Sequence, residues 1–357
     1  VTFACGGFQG DFFLGAKVMF VYCGGLHRWL LVFASLLPIA NSLAQSPGVV
    51  DDTALWKKET IYAGAACMTA VAGDFTGDGR IDVICNAGNK TRLLVAPDWR
   101  EVVLDDNREH NFIHSECLDV DGDGDLDYIG ARYNPGLIVW LEQPDQPLQK
   151  KWPVRLVDDQ IHGIHGLIQG DVDRDGHVDL LATSAQPLPP FPNSLAWYRR
   201  PSNVLQAPRW ERHIFAQGDA PGLTHYLGFG DINGDGRPDA ATGAKGGDQD
   251  SSGLGEWFAW WEAPSDPSLA WTKHLLPGKH PGATNIHPAD INGDGQVDLL
   301  ASRGHGQGVV WFEAPDWQLH TIHDTLVEPH CLCVVDMDGD GDMDAATCAY
   351  GSQLVAW

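Results

Sequence analysis

The stretch DVDGDGDLD, Asp119 to Asp127, places five carboxylates in nine residues, too many to bury without a counter-charge. It recurs as DFTGDGRID from Asp74, DVDRDGHVD from Asp171, DINGDGRPD from Asp231, DINGDGQVD from Asp290 and DMDGDGDMD from Asp336. Side-chain oxygens stand at positions 1, 3, 5 and 9 of every copy. These are Asp74, Thr76, Asp78 and Asp82; Asp119, Asp121, Asp123 and Asp127; Asp171, Asp173, Asp175 and Asp179; Asp231, Asn233, Asp235 and Asp239; Asp290, Asn292, Asp294 and Asp298; and Asp336, Asp338, Asp340 and Asp344. Position 7 adds a backbone carbonyl from Arg80, Asp125, His177, Arg237, Gln296 or Asp342. Glycine at position 6 permits a sharp turn. Calcium takes about 6–8 oxygens at about 2.3–2.6 Å, so six structural calcium loops are expected. An EF-hand would need glutamate at position 12, where Cys85, Gly130, Ala182, Thr242, Ala301 and Thr347 stand instead.

Histidine supplies the second chemistry. His114, His165, His225, His287 and His330 each lie three to six residues before an acidic loop. The neighbouring segments add His110, His162, His280 and His305, together with Arg132, Tyr133, Lys245, Arg303 and Tyr350. Clustered neutral imidazoles can hold a zinc-like ion. Histidine, Tyr133 and Tyr350 can instead serve as base and acid, with Arg132, Lys245 and Arg303 binding an anion or steadying an enolate. His165 and His225 are the preferred catalytic pair because they occupy equivalent positions, followed by His114, His287, His305 and His330. Because strand side chains alternate, residues three, five and six positions before the loop converge only through bulges or local shifts.

The acidic loops start 45, 52, 60, 59 and 46 residues apart, which marks repeats of one supersecondary unit. In each unit a short apolar strand precedes the loop and a strand such as VDLLATS follows it. A Trp-rich strand comes third, as in LIVWLEQP or FAWWEAP, and a strand such as WERHIFA comes last. Four short strands without a helical period describe a propeller blade. The tryptophans are expected between blades. His213, His274 and His320 in the fourth strands are assigned to packing. The chain is therefore expected to be an all-β propeller of six blades, or seven if the C-terminus is truncated. A strand from Trp56 should complete the last blade.

The D-x-D-x-D-G-x-x-D loop after an apolar strand resembles the FG-GAP/VCBS repeat across residues 56–357. The resemblance implies a β-propeller with calcium on its loops; members of the family are usually seven-bladed. It spans integrin-type ectodomains, lectins and carbohydrate-active enzymes, so fold does not settle function. The His-rich mouth loosely resembles the propellers of aldos-2-ulose dehydratase and rhamnosyl-glucuronate lyases, which break a C–O bond by β-elimination. The preferred expectation is thus a lyase or dehydratase on an oxidised sugar. The alternative is a non-catalytic glycan- or protein-binding module of lectin or integrin-like type.

The formal charge of −25 speaks against nucleic acid as a partner, although the six loops hold about half of the 48 acidic residues. Residues 1–18 read as upstream translated sequence. Residues 19–44 read as a secretory signal peptide rather than a membrane span, and residues 45–357 as one propeller domain. A secreted or periplasmic monomer acting on a carboxylate- or carbonyl-bearing carbohydrate is expected. Export permits disulfides, and Cys333 and Cys348 flank one acidic loop where they could face each other.

Overall fold

A computed structural model describes residues 59–357, and the upstream segment and signal peptide read from the sequence lie outside them. Six antiparallel sheets follow one another as the blades of a propeller, and no helix occurs among the described residues. Blades 1 to 5 span residues 67–105, 114–158, 167–216, 224–275 and 285–327, each with four strands in chain order. Blade 6, residues 329–356, has three strands among the described residues. The closing strand expected from Trp56 falls partly outside the description, and residues 59–63 carry no strand. Ile61 and Tyr62 pack against blade 1.

The inner strands are Cys67–Gly73, His114–Leu118, Leu167–Gly170, Thr224–Gly230, Asn285–Ala289 and Pro329–Val335. Each runs from a mouth at one face of the ring to an acidic loop at the other. The second strands are wholly buried in blades 1, 3, 4 and 5, because neighbouring blades cover both of their faces. Apolar clusters accordingly lie between blades. One joins Trp140 of blade 2 to Leu180 and Tyr198 of blade 3, and the next joins Trp197 of blade 3 to Trp261 of blade 4. Trp140, Trp152, Trp197 and Trp261 are fully buried.

The fourth-strand histidines act in packing. His213 lies opposite Trp197, His274 opposite Trp260 and His320 opposite Trp311. Each ring stacks on its tryptophan, with centroids 4.3, 4.1 and 4.4 Å apart. In blade 2 Arg155 takes the same place over Trp140. The thiol pairing differs from the sequence expectation. The ladder sets Cys348 opposite Cys331, while Cys333 faces Ala346, because the strand register is fixed by the loop ahead of it.

Candidate functional site

At the mouth, six side chains form a closed circuit. His114 Nε2 lies 3.2 Å from His165 Nδ1. His165 stacks on His225 with centroids 4.0 Å apart. His225 Nε2 is 2.9 Å from His305 Nε2, which is 3.1 Å from His330 Nε2. His330 Nδ1 lies 3.3 Å from the Tyr226 hydroxyl, and the Tyr226 ring meets His114 edge-on at 4.9 Å. Five of the six predicted catalytic histidines are therefore in one place, contributed by five different blades.

Bulges bring them together. The ladder of blade 4 slips between Thr224 and Leu227, and that of blade 6 between Pro329 and Cys331. These irregularities flank His225 and His330 and re-aim them into the channel. His165 precedes the first strand of its blade and is free of its alternation. The blade 5 ladder has no such slip, and His287 turns toward blade 6 to donate from Nε2 to Leu332 O at 3.0 Å.

Burial pulls the His225 pKa well below the usual histidine value, and the neighbouring imidazoles of His165, His305 and His330 lower it further. Its Nδ1 lies 3.0 Å from Leu223 O; a proton there makes Nε2 the lone-pair nitrogen facing His305. His225 thus offers a neutral nitrogen, suited to proton transfer or to a borderline metal.

The other predicted residues divide. Tyr133 stands edge-on to His165 at 5.6 Å, and its hydroxyl accepts from Gln186 Nε2 at 2.5 Å. Burial raises its pKa, so it stays a proton donor. Lys245 and His305 line one cleft of about 260 Å3 with Gln249 and Glu256. Arg132 is committed elsewhere, donating to Pro135 O and Glu109 O, both at 2.7 Å. Arg303 is tied to His280 Nδ1 and braces the loop that carries His305. Tyr350 is exposed on a turn, outside the circuit. His110 pairs with Asp105 at 2.5 Å, and His162 accepts from Gly136 N at 3.3 Å.

Tyr226 was not anticipated, since only the bulge beside it turns both it and His225 inward. Buried Glu116, two residues beyond His114 on a regular ladder, was also missed; it accepts from Gln169 Nε2 at 3.0 Å.

Two outcomes test this framework. A Cβ at Gly136 would lie 1.6 Å from Ile161 O, so the Tyr133 loop and the His165 loop touch backbone to backbone. Gly136→Ala should cost about 3 kcal/mol in urea unfolding, as overpacking does. Burial lowers the His287 pKa to about 4, so its folded form resists protonation. Stability should therefore fall as pH drops from about 6.5 towards 4, by up to about 3 kcal/mol less what partial solvent contact returns. His287→Gln, which keeps a donor for Leu332, should flatten that part of the profile relative to the parent chain.

At the opposite face, the acidic loops share one wiring. Position 1 accepts the amides of positions 5 and 6, as Asp74 does from Asp78 and Gly79 at 3.1 and 2.8 Å. Position 9 sits at the start of the second strand and ties two segments. Asp127 accepts Val120 N at 2.9 Å and Gln143 N at 2.7 Å. Asp82, Asp179, Asp239 and Asp298 hold Ala96, Arg200, Ala263 and Ala314 in the same way. Burial, aided by neighbouring loop carboxylates, pushes Asp127 up to about 8, Asp179 to about 7 and Asp239 to about 6. Carboxylates at positions 1, 3 and 9 converge within 4.8 Å in the loops from Asp119, Asp171 and Asp336. An all-oxygen donor set with unrelieved like charge fits a hard divalent cation.

A family of FG-GAP-like repeats matches residues 119–182 and 231–301, which contain four of the acidic loops. The chain carries FG-GAP-like repeats on a six-bladed β-propeller. Its repeats continue on either side of the matched segments, since all six blades carry the loop between their first two strands. Among solved structures, this FG-GAP propeller is similar to an Agrocybe aegerita lectin described as recognising non-reducing terminal N-acetylglucosamine. The identity is 17%, the TM-score 0.51, and the match covers 78% of this chain and 74% of that one. At that identity the likeness is one of fold. No curated protein matches the chain.

Proposed function

We propose that the mouth is a catalytic site that breaks a C–O bond of an oxidised sugar by β-elimination. The observation that carries this reading is the circuit of five histidines and Tyr226 around one point of the channel. His165 is the base: it removes the proton beside the sugar's carbonyl or carboxylate. That electron pair forms the new double bond as the C–O bond on the next carbon breaks. Tyr133, held protonated by burial, gives its proton to the departing oxygen. Lys245 offers a cation to the substrate's carboxylate at the shared cleft. His114, bonded to His165, positions the ring and takes up part of its proton load. The reading includes calcium on the acidic loops and export by way of residues 19–44.

A second reading, a glycan-binding module without turnover, takes its support from the lectin-like fold. Incubation with uronate polysaccharides and keto-sugars separates the two. Turnover yields an unsaturated product that absorbs in the ultraviolet. Binding across the panel without such a product would reject the lyase and favour the lectin.

A further inference from the structure

We propose that Nε2 of His225, His305 and His330 forms a binding site for one divalent ion of the zinc class, with its fourth position open towards the Lys245 cleft. Three features of the mouth support it. Two of the nitrogen pairs are separated by 2.9 and 3.1 Å, and the three residues fall within 4.8 Å at their ligand atoms. Tetrahedral zinc, with Zn–N bonds of about 2.0–2.1 Å, sets its nitrogens about 3.3 Å apart, so small outward shifts admit the ion.

The second observation is the partner of each outer nitrogen. His225 Nδ1 faces Leu223 O, and His330 Nδ1 faces the Tyr226 hydroxyl. The Leu223 carbonyl holds the proton on Nδ1 of His225 and turns its Nε2 lone pair inward, and the Tyr226 hydroxyl can accept from Nδ1 of His330 to the same effect, as outer partners of metal-bound histidines do. The third is access. His225 is buried whereas His305 is exposed and lines the cleft with Lys245, Gln249 and Glu256. Three imidazoles with one open side make a site that can bind water or an anionic oxygen, unlike a closed structural zinc site. An all-nitrogen set also separates this site from the acidic loops, whose oxygens suit calcium.

His305 stands on a short loop whose place is fixed by close backbone packing. A Cβ on Gly282 would lie 2.3 Å from both Gly306 N and His305 C. Arg303 braces the same loop from His280. The third ligand is thus held by its backbone against the segment that leads into blade 5.

The site stands or falls independently of β-elimination. The test uses the full chain, stripped of metal and then saturated with calcium so that the acidic loops are occupied. Zinc titrated by calorimetry should bind at one equivalent, and cobalt(II) should give the intense visible bands of a tetrahedral nitrogen site. His305→Ala, on an exposed loop, should weaken zinc at least about 10–100-fold while circular dichroism and the melt with calcium stay unchanged. His287→Gln should bind as the parent does. Absence of a zinc equivalent in calcium, or an undiminished one in His305→Ala, would overturn the proposal. Should His225→Ala fail to fold, His330→Gln supplies the second ligand test.

Discussion

Stripping calcium should lower the melting temperature by at least about 15 °C, and adding calcium back should restore it. The size follows from linkage: an ion held at 100 times its Kd contributes about 2.7 kcal/mol per site. Three loops present three converging carboxylates, those from Asp119, Asp171 and Asp336. Filling these three alone yields about 8 kcal/mol, and each kcal/mol moves the melt of a large domain by about 2–4 °C. Loss of the ion also touches more than the loop. The position-9 carboxylate holds the turn between the third and fourth strands, as Asp127 holds Gln143, so mutual repulsion in the loop is felt across the blade. Magnesium should restore less, because it prefers strict octahedral geometry at about 2.0–2.1 Å. Differential scanning calorimetry with metal content verified by elemental analysis decides the matter. An unchanged melt in verified metal-free protein would reject a stabilising role.

His165→Ala should lower turnover of an eliminated sugar by about 10²–10⁴-fold, the usual contribution of a positioned base. The ring is partly exposed, and its backbone amide donates to Thr183 Oγ1 at 2.9 Å whatever the side chain. The fold should therefore survive, with a melt close to that of the parent. A base used in the chemical step lowers kcat and kcat/KM together. A rise in KM alone would assign His165 to binding instead. Tyr133→Phe should give a smaller loss, concentrated on substrates with poor leaving groups. Retention of full turnover in His165→Ala would exclude it as the base.

The blade plan was legible because its signals are local. Each acidic loop marks the end of an inner strand, and each Trp-rich run marks a strand buried between neighbours. The mouth was legible in part. His165, His225 and His330 stand at one offset from their loops, and the structure joins them to His114 and His305. His287 was misplaced because its offset is three, and an unbroken ladder keeps it turned to Leu332. Nothing in the residues themselves announced the slips at Thr224 and Pro329, so Tyr226 could not be foreseen. The arginines' bonds were hidden for another reason. A guanidinium satisfies whichever carbonyls are near, and for Arg132 those are Pro135 and Glu109. Sequence gives their charge but not this commitment.

Every inner strand starts at the imidazole face and ends at an acidic loop, so the disc has two unlike sides. A polyanion diffusing towards it meets opposing fields. On the proposed function, the carboxylate side would turn it away and the side bearing Lys245 would receive it. Orientation is thereby selected before any contact forms, and unproductive collisions are shortened. The filter weakens as ionic strength rises, since its reach is about one Debye length, near 8 Å in physiological salt. Cation loading at the far face would also tune it: filled loops would repel less, so ions bound there would set how strictly the disc is read from one side.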